Sequence, residues 1–393
     1  MGDKRPWVAY VGPFPYPEGA AASRRVLGVA ESLSLAGLDV VIASGAGESS
    51  QDEGRVVAQQ DGIVYCHLNE RVAENWPRAL RRLRYAWMGG RTVDWLASQP
   101  TRPKAVILYS GYSPYLQRLL PWCKGNNVRL IFDAVEWYEP ARPWGYLTSP
   151  YQWNIEWAMR RLVPQVDGVI AISRYLADYY HDLGLQVAVV PPTTSTIALH
   201  DWQPSRQLRL CYAGNPGTKD DLGAVLRAVA NLVVQGASIH LTVAGPDAAQ
   251  VMSMLGGPSG QQLPWLSTPG MLNHDDVQKV VGGADFSVFT RRKGRLSQAG
   301  FPTKFVESFA SGTPVIANLT SDMHLHLREG LTGFVCERPD SVGIASALSR
   351  ALGLDEAAMR SMREACISQA WGAFHPAGYV DALRDLVDVG IST

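Results

Sequence analysis

Short runs of apolar, often β-branched residues alternate along this chain with longer stretches of helical periodicity. That alternation predicts parallel sheets covered by helices. In the first half WVAYV (7–11), DVVIAS (39–44), AVILY (105–109), VRLIFD (128–133), DGVIAIS (167–173) and QVAVVPP (186–192) read as strands. Their continuous apolar character suits strands buried on both faces. A helix is expected from Ser23 to Ala36, capped by Ser23 and stopped by Gly37.

The rhythm breaks at PPTTSTIALHDWQPSRQ (191–207), where Pro, Thr and Ser mark a linker. It restarts with LRLCYAG (208–214), a helix near 221–235, SIHLTVAG (238–245), a helix near 275–281, ADFSVFT (284–290) and TGFVCE (332–337). Two similar halves imply two facing Rossmann-like domains, over 1–195 and 205–370. The final segment, 371–393, is expected to be a helix packing back on the first domain. Ligands of such sheets bind beyond the carboxyl ends of the strands, so the cleft between the domains is the expected site.

Composition narrows the class. The chain has 393 residues, 46% of them apolar, and 36 basic residues balance 36 acidic ones. Zero net charge argues against nucleic acid as a partner. The five cysteines, Cys66, Cys123, Cys211, Cys336 and Cys366, are scattered and form no Cys-x-x-Cys pair. Neither a disulfide framework nor a zinc knuckle is suggested, and a cytoplasmic setting is expected. No signal peptide is expected at the N-terminus, and no run of about 18 apolar residues marks a membrane span.

Three loops carry candidate chemistry. In GPFPYPEGAAASRR (12–25), Gly19 and the alanines after it allow a close backbone approach that could present amides to an anion. A proline-stiffened loop without ligand is the alternative. Gly-x-Gly-x-x-Gly is absent, which argues against a nicotinamide dehydrogenase. In AGNPGTKDD (213–221), Gly214 and Asn215 lie in a tight turn and Lys219 offers a point charge to phosphate; a solvated lysine reads equally well. The third is GFPTKFVESFASGTPVIAN (300–318). Pro302 suits the first turn of a helix, Phe305 and Phe309 face the core, and Gly312 ends the helix. Lys304 and Glu307 share another face. A helix N-terminus carries about half a positive charge, favourable to a diphosphate. Lys304 would add to it, and Glu307 could accept hydrogen bonds from ribose hydroxyls. A surface ion pair worth roughly 0.3–0.5 kcal/mol is the alternative.

Two aromatic-rich stretches are less specific. ENWPRALRRLRYAWMGG (74–90) places Trp76, Leu80, Leu83 and Trp87 on one helical side, with Arg78, Arg81, Arg82 and Arg84 over the rest. Residues 76–91 could therefore contact an anionic membrane surface, or pack on the first sheet. Trp137, Tyr138, Trp144, Tyr146, Tyr151, Trp153 and Trp157 could stack on a sugar or flat aglycone, or fill a core. His324 and His326 form no metal triad.

Together these residues resemble the family 4 glycosyltransferases, retaining enzymes of the GT-B architecture with two Rossmann-like domains. The resemblance spans nearly the whole chain and is most specific in PTKFVESFASGTPVIA, similar to that family's donor-binding helix and strand. It implies a ribose-binding role for Glu307 and a phosphate-contacting role for Lys219 in YAGNPGTKDDL. Gly300, Phe301, Pro302, Thr303 and Lys304 would line the donor, with Gly19, Gly214 and Asn215. Of Arg291, Arg292, Lys293 and Arg295, Arg295 is favoured for the diphosphate. LIFDAVEWYEP resembles a segment facing the active site, which makes Asp133 a candidate to orient or deprotonate the acceptor and sets Glu136 and Trp137 beside it; capping of the following turn is the alternative for Asp133. One departure stands out: eight residues before Glu307, where the family carries another glutamate, this chain has Ala299.

The resemblance implies metal-independent, retaining transfer of a sugar from a nucleoside diphosphate to a hydroxyl acceptor, with no cofactor beyond that substrate. A non-catalytic nucleotide-sugar- or partner-binding protein and a nucleotide-sugar epimerase are the competing readings.

Overall fold

Strands form where the apolar runs place them, and their central residues are fully buried: Val8, Ala9, Tyr10 and Val11 are each 0% exposed. The computed structural model describes residues 5–17, 21–45, 58–60, 62–70, 87–110, 113–140, 149–217, 219–258 and 260–388. The chain divides into two units, residues 1–193 with 376–393, and residues 194–375.

In the first unit the strands are β1 (Trp7–Gly12), β2 (Asp39–Ser44), β3 (Ala58–Gln60), β4 (Ile63–His67), β5 (Ala105–Tyr109), β6 (Arg129–Ala134), β7 (Gly168–Ala171) and β8 (Val187–Val189). They lie in the order β3-β4-β2-β1-β5-β6-β7-β8. All pair in parallel except β3, which pairs antiparallel with β4 at the edge. Helices α1 (Ala21–Leu35), α2 (Gly90–Ser98), α3 (Ser113–Asn126), α4 (Pro150–Trp157) and α5 (Arg174–His181) accompany the sheet. α1 begins ahead of Ser23, so this residue is not the expected cap. Its hydroxyl instead donates to the Pro15 carbonyl at 2.7 Å and ties the preceding loop to the helix.

The second unit holds β9 (Leu208–Ala213), β10 (Ile239–Ala244), β11 (Leu266–Gly270), β12 (Phe286–Phe289), β13 (Val315–Ala317) and β14 (Gly333–Val335). Its order, β11-β10-β9-β12-β13-β14, is the Rossmann arrangement in which strand order reverses beside the first strand. The helices are α6 (Leu222–Val234), α7 (Ala248–Leu255), α8 (His274–Gly283), α9 (Arg295–Ala299), α10 (Thr303–Ala310), α11 (Ser341–Ala351) and α12 (Glu356–Ala373). As the spacing predicts, Phe305 and Phe309 on α10 are fully buried, their ring centroids 4.2 Å apart. Gly312, at φ 68°, takes the left-handed turn that ends the helix.

The return to the first unit begins at Pro376. The expected boundary at 371 falls inside α12, and Phe374 just beyond it packs edge-on against Phe305 and Phe309 in the second unit's core. From Pro376 the chain joins α1, where Ser32 Oγ donates to the Pro376 carbonyl at 2.9 Å. The last described helix, α13 (Val380–Asp388), buries Leu383, Leu386 and Val387 in the first unit's core. Among the described residues no helix is long and apolar enough to cross a membrane.

Candidate functional site

The reversal in the second sheet lies between β9 and β12, and the loops leaving these strands are tied together. The Asp221 amide donates to the Thr290 carbonyl at 2.9 Å, and Asp220 and Arg291 form a short antiparallel bridge. Beyond β13, Asn318 closes the other side: its amide oxygen accepts from the Arg291 backbone at 2.7 Å and its nitrogen donates to the Arg291 carbonyl at 2.9 Å. Asp221 caps α6 through the Ala224 amide at 3.0 Å, so it is spent locally.

Asp220 is not spent on a cap. Lys304 Nζ donates to its Oδ2, Arg291 Nε to its Oδ1 at 3.2 Å, and the Tyr212 hydroxyl to Oδ2 at 2.9 Å. The ammonium also lies 3.9 Å from the centroid of the Tyr212 ring. Side-chain exposures of 4% for Asp220, 9% for Arg291 and 16% for Lys304 place the cluster largely out of water. Burial raises the Asp220 pKa, but Lys304 and then Arg291 outweigh it and hold the carboxyl below its usual range. Burial pulls the Lys304 ammonium below its ordinary value, and the Arg291 charge acts in the same direction. Two cations against one carboxylate leave these three groups with one positive charge in excess. Arg291 Nη1 is buried and has no hydrogen-bond partner, an unusual state for a buried donor.

Two glycines shape the backbone beside the cluster. Gly214 follows β9 at φ 119°, and a Cβ on it would stand 3.7 Å from Lys304 Nζ. Gly245 follows β10 at φ 127°, and a Cβ there would lie 2.5 Å from the Gly214 carbonyl oxygen. Neither loop therefore tolerates a side chain easily. α10 starts at this place with Pro302 at its cap position, where it offers no side-chain cap. Lys304 lies on the first turn, and Glu307, half-buried a turn later, acts electrostatically on Lys304.

Several expected positions come together and others do not. Gly214, Thr303, Lys304 and Glu307 belong to this locality, and Asn215 shapes the loop by accepting from the Gly217 amide at 3.0 Å. Lys219 is half-buried in the same loop, but the loop residue joined to Lys304 is its neighbour Asp220. The arginine of the cluster is Arg291; the favoured Arg295 opens α9 instead. Gly300 is buried, and Phe301, 5% exposed, packs against Phe305 and Phe374, so its ring belongs to the core rather than to a donor surface. Ala299 is 0% exposed. Gly19 lies outside the described residues, as does 71–86 of the basic segment; Trp87, which follows, is 74% exposed.

In the first unit, Asp133 ends β6 fully buried. Arg25 from α1 donates to it through Nη2 at 2.8 Å and Nε at 3.2 Å, and the Tyr10 hydroxyl also donates to it. Arg25 Nη1 continues to the carbonyls of Val190 at 2.6 Å and Pro191 at 2.8 Å. This carboxylate fastens strand ends together and faces no solvent, which corrects the expectation that it orients an acceptor. Trp137, 2% exposed, is core as well: its indole donates to Glu156 at 3.3 Å and Arg160 stacks over it at 4.9 Å. Glu136 is half-buried just past the strand and hydrogen-bonds the Tyr138 hydroxyl. Tyr138, Tyr151, Trp153 and Trp157 are exposed, whereas Trp144 and Tyr146 lie outside the described residues. Among the described residues no group of three His, Cys, Asp or Glu side chains is placed to hold a metal ion.

Sequence reasoning passed over Arg25, Tyr212, Asp220 and Asn318, and named Arg291 as a candidate without favouring it. The strand-order rule was the available signal, since it brings the ends of the second half's first and fourth strands together.

Two Rossmann-like units, the second with a cation cluster and an open helix N-terminus beside its strand-order reversal, define a protein of the GT-B class. Comparison with known proteins agrees. The family profile described as Glycosyl transferase 4-like domain matches residues 20–193, and that described as Glycosyl transferases group 1 matches 207–353. The chain belongs to the family 4 type of glycosyltransferases. Its fold is similar to the starch synthase IV catalytic domain from Arabidopsis thaliana bound to ADP and acarbose (TM-score 0.72, 10% identity, covering 98% of this chain and 100% of that one). It is also similar to sucrose-phosphate synthase from Thermosynechococcus elongatus (0.71, 15% identity, 97% and 98%). A third similar structure is the apo form of the lipopolysaccharide outer core galactosyltransferase WaaB (0.65, 14% identity, 97% and 98%). No curated protein matches the sequence.

Proposed function

We propose that the protein transfers a sugar from a nucleoside diphosphate to a hydroxyl acceptor, with retention at the anomeric carbon and without a catalytic metal. One observation carries the reading: a largely buried cluster in which two cations share one carboxylate and an arginine nitrogen has no partner lies at the second sheet's strand-order reversal beside a helix N-terminus without a side-chain cap. A diphosphate supplies the missing anion.

In this reading Lys304, Arg291 and the first amides of α10 hold the diphosphate, while Lys219, Gly214 and Asn215 bound it from the β9 loop. Glu307 accepts hydrogen bonds from the ribose hydroxyls. The bond from the anomeric carbon to the β-phosphate oxygen breaks, its electron pair stays on that oxygen, and the cations stabilise the growing charge. The acceptor oxygen bonds to the anomeric carbon on the face the diphosphate leaves, and the hydroxyl proton passes to the diphosphate. Glu136 is the acceptor-side carboxylate, since Asp133 is committed elsewhere. With alanine at 299, no carboxylate reaches the sugar from that position, which points to a donor sugar bound differently there.

Thermal-shift screening of nucleotide sugars tests the donor: a cognate one at 100 times its dissociation constant stabilises by about 2.7 kcal/mol. NMR of the product then reads the anomeric configuration. A protein shifted by no nucleotide sugar, with neither transfer nor donor hydrolysis, sinks this reading. Binding with neither reaction leaves the non-catalytic alternative. The basic segment 76–91 is proposed to touch an anionic membrane surface, with exposed Trp87 as its first described residue; failure to co-sediment with anionic liposomes at low salt removes that part.

A further inference from the structure

Lys304 and Arg291 reach the end of β9 from separate elements, and Asp220 touches both. We propose that Asp220 is a positioning residue for donor binding: its carboxylate gathers the two cations at one place, so that a diphosphate meets a preassembled pair. This rests on the diphosphate reading above and assigns a role to a residue that contacts no donor atom itself.

The geometry separates this role from simple competition for the same cations. Were the carboxylate a stand-in for phosphate, it would be expected to satisfy the cations it holds. It engages Arg291 through Nε alone and leaves Nη1 buried without a partner. The Tyr212 hydroxyl holds the carboxylate from β9 while its ring lies under the ammonium, so carboxylate and ammonium share one rigid support. Asp221 cannot substitute, because its side chain caps α6. The groups facing the Lys304 ammonium are Asp220 from the β9 loop, Arg291 beyond β12, Glu307 on α10 itself, and Tyr212 and the buried Cys211 on β9. With the Asp220 charge gone, Glu307 alone opposes burial and the Arg291 repulsion, and the ammonium loses its proton at lower pH.

The test is isothermal calorimetry of the full chain with UDP, GDP, ADP and inorganic pyrophosphate at about pH 6.5 and about pH 8.5. The wild-type profile corrects for ionisation of the probe. For whichever probe binds the wild type, Asp220→Asn, titrated below its own melting transition, is expected to raise Kd about tenfold at the lower pH and further at the higher pH. Asp220→Glu, which keeps the charge, restores the wild-type pH profile. Affinity equal to or tighter than wild type at both pH values overturns the proposal. If Asp220→Asn does not fold, Tyr212→Phe decides: it is expected to show a smaller loss that also grows with pH, and wild-type affinity at both values overturns the role. A wild-type protein that binds none of the four probes defeats the diphosphate reading itself, and this proposal falls with it.

Discussion

Replacing Asp133 by alanine separates a structural carboxylate from a catalytic one. The wild-type side chain is fully buried, and it accepts two hydrogen bonds from Arg25 and one from Tyr10. In the variant Arg25, itself 3% exposed, keeps the two carbonyls of Val190 and Pro191 but loses its counter-charge. Removing one partner of a buried pair costs about 3–5 kcal/mol, because the other charge stays behind in a poor solvent. For a unit of roughly 210 residues, at about 2–4 °C per kcal/mol, the first unit should melt about 6–20 °C lower. Differential scanning calorimetry reads this directly, and donor binding to the second unit should survive below the transition. The double variant Arg25→Met/Asp133→Leu, which removes both charges, should regain much of the loss. An Asp133→Ala protein with unchanged melting and a kcat lowered a hundredfold would refute the reasoning and return Asp133 to the acceptor.

Two further outcomes follow from the donor side. Glu307→Ala should lower kcat/KM for the donor by about 2–3 kcal/mol, roughly 30- to 150-fold, mainly through KM; donor kinetics like wild type would remove Glu307 from the site. Gly245→Ala sets a Cβ 2.5 Å from the Gly214 carbonyl oxygen at a φ of 127°. It should cost about 1–3 kcal/mol in urea unfolding and weaken nucleotide binding by displacing the β9 loop, whereas wild-type values for both would show that the loop has slack.

The fold was readable because, apart from the edge strand β3, both sheets are parallel, and their central, buried strands announce themselves as apolar runs. β4 escaped notice because Val64 and Tyr65 in it are only half-buried and its pattern is mixed. Within the site, the face shared by Lys304 and Glu307 followed from helical spacing. The partner that Lys304 shares with Arg291 did not, since Asp220 precedes Lys304 by 84 residues and Arg291 by 71. Long-range ion pairs carry no local pattern. Among neighbouring charged residues such as Lys219, Asp220 and Asp221, spacing alone does not say which caps a helix and which holds a cation. Phe301 and Trp137 show the same limit for aromatics: each adjoins a strand end or helix start, yet burial puts both rings in a core.

The two units contain similar charged clusters, and physical chemistry distinguishes their uses. In each, a tyrosine on the first strand of the sheet and a basic side chain from another element meet one aspartate: Tyr10 and Arg25 at Asp133, Tyr212 and Lys304 at Asp220. The first cluster is complete. One cation meets one anion, the remaining guanidinium nitrogen reaches two carbonyls, and Arg25 and Asp133 are almost wholly excluded from water. An added anion would have to displace a bond already made. The second cluster has a second cation, Arg291, an unpartnered nitrogen on it, and a lysine still 16% exposed. A buried donor without a partner costs about 1–3 kcal/mol, a cost that an arriving phosphate oxygen removes. Saturation therefore decides the assignment: the closed pair stabilises the first unit, and the open one is where binding energy remains to be gained.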